Sequence, residues 1–487
     1  MGACEDESGE NGYTHNEAEA IEKGTINGEA NNNYIKQQQQ QQETKTIASA
    51  GSLQSLWKKT IWHGGSVYDA WLNAVAAQVG QVILSMPTSY SQMGYKWGVF
   101  FHLFYFSIGM YTCYLLARLY VEYRVRKERD GVDFNRHVIQ YHEVLGSLVG
   151  LWAQRVALFF NIVTVGAVAV VQIIACASNA YYLNPHHNKR TWTIVFGAIS
   201  LVVILLPTIH NFRIWSFLGV LTTTYTAWYM FSTSIAHGQV PNVKHSAPID
   251  LQSFFTGTTN ILFASGGHAI TIEIMHAMWK PAKYKYVYVA CCFYVFSITI
   301  PHSLAVYWAF GDELLHKNNA FAVLPSSNAR STAIIFMIMH QAVAFGLYIM
   351  PLNFMWEKLW GVHQSPYLVR VLVRLPVVLL LWFLALAFPF FGPLNSLIGS
   401  LFMSFSTFII PSIAYIITFR TLKARQNEAE KPNKPRRIVG WRGMVVLNLM
   451  VVLLIFTLGT GFGSWASVKN VIDQIKTFGV FQKCYQC

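Results

Sequence analysis

The sequence predicts an all-α integral membrane protein. Of its 487 residues, 53% are hydrophobic and only 12% are charged, which is about half the charged fraction of an ordinary soluble domain. Several apolar runs exceed the roughly 20 residues that a helix needs to cross a bilayer. The formal net charge of +13 does not indicate a nucleic acid partner, because the basic residues collect in loops on one side of the predicted membrane domain.

Hydropathy divides the chain into eleven spans. They lie near 67–90, 97–121, 155–181, 192–209, 214–236, 254–278, 285–310, 331–356, 371–388, 393–419 and 443–464. With a cytosolic N-terminus, the cytosolic loops hold 22 Lys and Arg residues and the outward loops hold six. This distribution satisfies the positive-inside rule. The odd number of spans then predicts an extracellular C-terminus on a multi-pass protein.

The two ends of the chain are predicted to be tails. Residues 1–56 are polar, include a six-glutamine run from Gln37 to Gln42, and are typical of a disordered cytosolic segment. We expect residues 57–464 to form the eleven-helix membrane domain and 465–487 to form an extracellular tail. In that tail, Cys484 and Cys487 either close a disulfide in an oxidising compartment or remain reduced, and the sequence leaves both open.

Two of the spans are interrupted by glycine. Span 1 contains Gln78-Val79-Gly80-Gln81, and span 6 contains Ser265-Gly266-Gly267-His268. Each interior glycine costs about 1 kcal/mol of helix propensity, and five spans separate the two breaks, so they enter the bilayer in opposite orientations. Broken helices at corresponding positions of two inverted halves indicate a transporter substrate site. We therefore expect a 5+5 inverted repeat over about 67–236 and 254–419, with 443–464 as an eleventh, accessory helix.

The broken helices predict the chemistry of the site. Exposed backbone N–H groups at a helix end attract anions such as a carboxylate, and a histidine adds a charge that titrates near neutral pH. We expect His268 to link proton binding to substrate binding. The predicted substrate-binding residues are Ala77, Gln78, Val79, Gly80, Gln81, Gln172, Ser265, Gly266, Gly267 and His268.

Other polar residues within the spans leave two interpretations open. Glu273 is either a proton-pathway carboxylate or the structural partner of a basic or backbone group. Asp69 is predicted to be a helix cap or a gate residue and not a substrate ligand. His340 and Gln341 either take the place of a sodium site near the break in span 1 or form ordinary hydrogen bonds between helices. With His268, the residues Glu273 and His340 are the predicted proton-coupling groups. We expect protons as the coupling ion and no further cofactor.

Several longer strings resemble the plant auxin influx carriers, the AUX/LAX family within the amino acid/auxin permeases. The resemblance covers nearly all of 57–487. The strings that carry it include Trp62-His63-Gly64-Gly65-Ser66, Val121-Glu122-Tyr123-Arg124, Gly266-Gly267-His268-Ala269, Phe388-Pro389-Phe390-Phe391-Gly392-Pro393 and Lys483-Cys484-Tyr485-Gln486-Cys487.

This resemblance implies a LeuT-like fold, a plasma-membrane location and proton-coupled import of indole-3-acetic acid and related aromatic carboxylates. Ala77, Gly80 and Ser265 depart from the family pattern and indicate a divergent member. One alternative is a proton-coupled permease for aromatic or neutral amino acids, and another is a membrane sensor that binds without transport. We do not expect an enzyme, because the sequence contains no nucleophile–base pair or metal motif.

Overall fold

A computed structural model describes residues 65–132, 134, 137–205, 213–430 and 434–485. This part of the chain is helical and contains no β-strand. In chain order the α-helices are α1 Val67–Val79, α2 Val82–Arg129, α3 Tyr141–Val149, α4 Leu151–Leu183, α5 Lys189–Ser200, α6 Arg213–His237, α7 Leu251–Ala264, α8 Thr271–Ala277, α9 Tyr284–Phe310, α10 Asn328–Leu359, α11 Tyr367–Ala387, α12 Phe391–Ile398, α13 Ile410–Thr418, α14 Leu422–Gln426, α15 Lys434–Leu454 and α16 Ser464–Phe478.

Two stretches of π-helix join consecutive helices into longer ones. Gly399–Ile409 connects α12 to α13, and Ile455–Gly463 connects α15 to α16. Counting these joined helices, seven helices of the described residues are long and apolar enough to cross a membrane. The chain is therefore a multi-pass membrane protein, as the hydropathy predicts.

The four other predicted spans are shorter, interrupted or more polar. Spans 1 and 6 are broken helices, which we describe below. Span 4 is described only as far as 205, with a 3₁₀ turn at Leu201–Leu205 after α5. Span 5 is the 25-residue helix α6, whose run of threonines lowers its hydropathy. The predicted tail 1–56 lies outside the described residues.

Helix ends differ from the predictions where polar residues continue a helix. The kink that separates spans 1 and 2 falls at Gly94, which has φ 80°, and α2 then continues past the predicted end at 121 to Arg129. At the other end of the chain, α16 carries the last span past 464 to Phe478. Hydropathy does not predict this part of the helix, because many of its residues are polar. Ala466 and Ser467 are nevertheless buried, and α16 packs on α7 and α12.

The break-bearing helix α1 lies at the centre of the packing. It contacts α6, α8, α9 and α10, and its buried residues include Ala74, Val75 and Ala76. Ser66 caps its N-terminus: the Ser66 hydroxyl accepts from the Asp69 N–H, and the Asp69 carboxylate accepts from the Ser66 N–H at 3.0 Å. Asp69 is thus the third residue of a capping box, and it also pairs with Arg213 at the start of α6 at 2.7 Å.

Candidate functional site

The first break lies between α1 and α2. Helix α1 ends at Val79, Gly80 leaves helical geometry with ψ −132°, and α2 begins at Val82. A carbonyl near the end of α1 gains a side-chain partner, because the Tyr348 hydroxyl of α10 donates to the Ala77 oxygen at 2.9 Å. The interruption predicted from Gly80 and Gln81 is confirmed.

The second break lies between α7 and α8. Helix α7 ends at Ala264, and a 3₁₀ turn at His268–Ile270 precedes α8. Gly266 allows a close approach of the π-helix Gly399–Ile409, since a methyl group here would lie 2.5 Å from the Met403 sulfur. The interruption predicted from the Ser-Gly-Gly-His string is therefore also confirmed.

The two breaks meet at a small cavity. Six of the ten predicted substrate-binding residues line it, and they come from α1, the first break, α4 and the second break. They are Ala77, Gln78, Gly80, Gln81, Gln172 and Gly266. The remaining lining residues are Val82, Val168, Phe263, Tyr348 and Met403. With about 10 Å³ of free space, the cavity has room for roughly one water molecule.

The polar lining groups are held by neighbours from distant parts of the chain. The Gln81 amide nitrogen donates to the Asn395 side-chain oxygen at 3.3 Å. The Gln78 amide nitrogen donates to the Tyr288 hydroxyl at 3.4 Å, and the Cys291 thiol donates to the Gln78 oxygen at 3.3 Å. The Gln172 side-chain oxygen is buried and has no hydrogen-bond partner among the described residues. The glutamine amides therefore supply the polar character of the cavity.

Four predicted substrate-binding residues do not line the cavity. Val79 is buried in the last turn of α1. The Ser265 carbonyl oxygen accepts from the Tyr288 hydroxyl at 3.5 Å, and a methyl group on Gly267 would lie 3.6 Å from that hydroxyl. Tyr288 thus joins the second break to Gln78 of the first. The fourth residue, His268, is not among the lining residues.

His268 connects the second break to α2. Its Nε2 lies 3.1 Å from the Gly109 carbonyl oxygen and 3.1 Å from the Thr112 hydroxyl. Because a carbonyl oxygen only accepts, Nε2 carries the proton, and this assignment rests on the hydrogen-bond network. Nδ1 is buried without a partner in the described part of the chain, and the Tyr288 ring lies edge-on at 5.4 Å. The sequence cannot indicate this orientation, because it depends on which helix packs beside the break.

His340 lies beside the first break. Its Nδ1 donates to the Gly219 carbonyl oxygen at 3.0 Å, and its Nε2 has no hydrogen-bond partner among the described residues. A methyl group on Gly80 would lie 3.3 Å from this Nε2 and 3.9 Å from the Gln172 amide nitrogen. The absence of a side chain at Gly80 therefore leaves room for the imidazole between α1 and α10. Gln341 instead accepts from the Asn179 amide at 3.1 Å.

Glu273 lies in α8, away from the cavity. Its side chain is buried, and neither carboxyl oxygen has a hydrogen-bond partner among the described residues. The charged groups that act on it electrostatically are Lys358 and Glu143, which pair with each other at 3.0 Å. Burial alone would raise the pKa of Glu143, but the hydrogen bond with His137 and the charge of Lys358 hold this pKa at about 2.

Sequence reasoning missed the aromatic and sulfur groups of the site. Tyr288, Tyr348 and Met403 contact the breaks from α9, α10 and the π-helix, and their sequence positions carry no local signal for that role. Cys291 and Cys292 are buried free thiols of α9, and the Cys291 thiol also contacts Gln78. Cys484 is disulfide-bonded, and Cys487 lies outside the described residues.

Comparison with known proteins identifies the family. Residues 63–459 match the family model described as transmembrane amino acid transporter protein. The chain is 52% identical over 438 residues to auxin transporter protein 1 of Arabidopsis thaliana, with 90% of each chain covered. It is 50% identical over 456 residues to auxin transporter-like protein 3 of Medicago truncatula, covering 93% of this chain and 96% of that protein.

A rice relative gives the same result. The chain is 52% identical over 428 residues to auxin transporter-like protein 3 of Oryza sativa subsp. japonica, covering 88% of this chain and 78% of that protein. The family and these relatives are transporters, not enzymes. The broken helices and the family match agree, and the chain belongs to the AUX/LAX auxin transporter-like group of the transmembrane amino acid transporter family.

Proposed function

We propose that this protein is a proton-coupled symporter that imports indole-3-acetic acid and related aromatic carboxylates across the plasma membrane. The observation that carries the proposal is the cavity at which the two broken helices meet. Backbone amides at the breaks suit a carboxylate, and three glutamine side chains add uncharged donors. The names of its relatives, which are auxin transporters, support the same substrate.

The lining of the cavity favours an acid over an amino acid. None of its eleven described lining residues is Asp or Glu, so no side chain there supplies a negative charge to pair with a substrate ammonium. Indole-3-acetate has no ammonium to satisfy. Tyr348 and Phe263 provide aromatic surface beside the amides, which suits a ring with a carboxylate at one end.

We further propose that the cavity is in a closed state in this structure. About 10 Å³ of free space is far too small for an indole ring, so side chains have to move before the substrate binds. Met403 and Tyr348 are the lining side chains that we expect to move. Methionine in particular is flexible and adapts to irregular spaces. A LeuT-like arrangement of two inverted five-helix repeats, with an accessory helix and an extracellular C-terminus, would open such a cavity by moving one repeat against the other.

His268 then acts on the substrate indirectly. Its ring contacts α2 through Gly109 and Thr112, so a proton on Nδ1 changes how the second break is held rather than contacting the carboxylate. Glu273 and His340 are further proton-carrying groups in this proposal. Protons are the coupling ion in this proposal, and no other cofactor is needed.

The test is uptake of radiolabelled indole-3-acetic acid in oocytes at pH 5.5 and pH 7.5, with and without excess tryptophan. We expect saturable uptake at pH 5.5 above that of uninjected oocytes, resistant to tryptophan and reduced in Gln172→Leu and His268→Ala. His316→Ala changes an exposed histidine and serves as the control. Surface expression of each variant is measured in parallel.

Two outcomes would overturn the proposal. Uptake that tryptophan suppresses would favour the amino acid permease. Specific binding of indole-3-acetic acid without accumulation would favour a sensor that does not transport.

A further inference from the structure

Two buried histidines outside the proposed site form a polar chain between α2 and α9. The Tyr90 hydroxyl lies 3.2 Å from His102 Nδ1, and the Thr299 hydroxyl lies 3.1 Å from His102 Nε2. Thr299 is followed three residues later by His302, so both lie on the same face of α9. The contacts run from Tyr90 through His102 to Thr299, and His302 acts electrostatically on His102.

One contact of His302 is explained by a proline. Pro87 has no N–H group, so the Ile83 carbonyl oxygen loses the donor that an α-helix normally provides four residues later. His302 Nε2 lies 2.9 Å from this Ile83 oxygen. Because the carbonyl can only accept, Nε2 carries a hydrogen and takes the place of the missing donor. This bond joins α9 to the first turn of α2.

The other ring nitrogen also contacts a carbonyl oxygen. His302 Nδ1 lies 2.6 Å from the Ile298 oxygen. A neutral imidazole has one N–H and one lone pair, whereas the protonated ring donates from both nitrogens. A bare Nδ1 would place its lone pair against that of the oxygen at this short distance, so the contact requires a hydrogen on Nδ1. The Ser303 hydroxyl lies 3.4 Å from Nε2 and not beside Nδ1. It donates to the Thr299 oxygen at 2.6 Å, so it supplies no hydrogen to the ring.

This arrangement distinguishes His302 from the other buried histidines of the described membrane helices. His102 contacts two hydroxyls. The Thr299 hydroxyl donates to the Val295 oxygen at 2.7 Å and so accepts from His102 Nε2. This leaves Nδ1 to accept from Tyr90. His268 and His340 each contact one carbonyl oxygen and leave the other nitrogen without a partner among the described residues. Only His302 has a carbonyl acceptor at both nitrogens.

We infer that His302 is an intramembrane proton-binding site, in which the imidazolium is held between the carbonyl oxygens of Ile298 and Ile83. Burial opposes the charge, and the two charge-assisted hydrogen bonds favour it. The titratable groups that face His302 are His102 on α2 and, beyond it, Tyr90. No Asp, Glu, Lys or Arg of the described chain interacts with His302. A positive charge on His302 disfavours a second positive charge on His102. The pair therefore carries one extra proton, and hence one imidazolium, at a time.

The position of the site gives the proton a consequence for the cavity. Ile83 follows Val82, which lines the cavity, and lies three residues after the break at Gly80. Loss of the Nδ1 proton makes the contact with Ile298 repulsive, so the ring turns and weakens the bond to Ile83. Proton release at His302 therefore loosens α9 from the helix that follows the first break. The conclusion that proton release at His302 drives transport rests on the proposed symport. The protonation of His302 does not depend on it.

The direct test is nitrogen NMR of the full-length protein, labelled with ¹⁵N-histidine and reconstituted in lipid bilayers at pH 6. The spectrum of His302→Gln is subtracted from that of the wild type. We expect two ring nitrogens with the nearly equal shifts of an imidazolium. A widely separated pair, typical of a neutral ring, would overturn the inference and indicate a flipped ring that only packs. His316→Gln provides the reference for an exposed histidine, and His302→Asn replaces His302→Gln if the latter does not fold.

Uptake measurements then separate this inference from the proposed function. The glutamine amide of His302→Gln can donate to the Ile83 oxygen but cannot titrate. One linked proton changes an equilibrium by up to about tenfold per pH unit. Over the two units between pH 5.5 and pH 7.5, we therefore expect the ratio of uptake at the two pH values to fall by up to about a hundredfold. An unchanged ratio would overturn the coupling role of His302. An imidazolium signal in a wild-type protein that does not take up indole-3-acetic acid would reject the proposed function and retain the proton site.

Discussion

Replacing Glu273 by glutamine tests the charge of the buried carboxyl in α8. The substitution keeps the shape of the side chain and removes its ability to ionise. Neither oxygen of Glu273 has a hydrogen-bond partner in the described part of the chain. Its basic neighbour Lys358 is already occupied, because it donates to Glu143 at 3.0 Å and to the Val138 carbonyl oxygen at 2.6 Å. We therefore expect Glu273 to be protonated in the folded protein.

The magnitude follows from the two possible states. If Glu273 is a neutral acid, its exchange for an amide is a volume-conserving change that lowers the free energy of unfolding by less than about 1.5 kcal/mol. If it is an ionised partner of Lys358, its removal breaks a buried ion pair at a cost of about 3–5 kcal/mol. The two cases are far enough apart for a thermal measurement to separate them.

Glu357 provides a matched control for this substitution. It is equally buried, and its oxygens lie 2.5 Å from Arg374 Nε and 2.9 Å from Arg370 Nε. Glu357→Gln removes the charge that compensates two arginines, so we expect the full cost of a broken buried pair of about 3–5 kcal/mol. The two variants differ in the partners of the carboxyl and not in the chemical change.

The assay is thermal unfolding of the purified protein in detergent, followed by size-exclusion chromatography of the remaining folded fraction. We expect Glu273→Gln to unfold within a few degrees of the wild type and Glu357→Gln to unfold at a clearly lower temperature. Uptake at pH 5.5 gives the second readout, and a proton-carrying Glu273 predicts a large loss of transport in a stable protein. If Glu273→Gln were destabilised as much as Glu357→Gln, the carboxyl would be ionised and our reasoning would be wrong.

Two further predictions concern stability. The folded pKa of Glu143 is about 2, below its ordinary value. Glu143→Gln should therefore unfold at a lower temperature than the wild type at pH 5 to 7, and the difference should shrink as the pH falls through 4 towards 2. A difference independent of pH would contradict the pairing with Lys358. Gly399→Ala places a methyl group closer to the Thr259 carbonyl oxygen than van der Waals contact allows. It should lower the free energy of unfolding by about 1–3 kcal/mol, whereas Gly461→Ala, whose new methyl group would have its nearest atom at 3.4 Å, should not. Equal stability of the two variants in thermal unfolding would contradict this packing.

The sequence predicted the breaks because their causes are local. Gly80 and the Gly266-Gly267 pair interrupt long apolar runs, and glycine weakens a helix wherever it occurs in the interior. Six of the ten predicted substrate-binding residues line the cavity for the same reason: they belong to the breaks or to the polar face of α4. The ends of α2 and α16 were predicted less well, because hydropathy does not distinguish a polar helix from a loop.

The direction of a side chain at a break has no such local cause. His268 follows the paired glycines directly, yet its ring contacts Gly109 and Thr112, which are more than 150 residues earlier in the chain. Tyr348 and Met403 reach the cavity from distant helices. The sequence carries no periodicity that indicates these contacts, since they depend on which helices pack together.

The sequence by itself determined that this chain is a membrane protein with two broken helices, because hydrophobicity, charge distribution and glycine propensity act over neighbouring residues. Only the tertiary structure decided which polar groups share a cavity and which are held elsewhere. His302 illustrates the difference. The sequence shows only that His302 follows Pro301 in an apolar helix. Its environment consists of two carbonyl oxygens, one from α9 and one from α2. This environment exists only because Pro87 frees the Ile83 carbonyl and the two helices pack side by side.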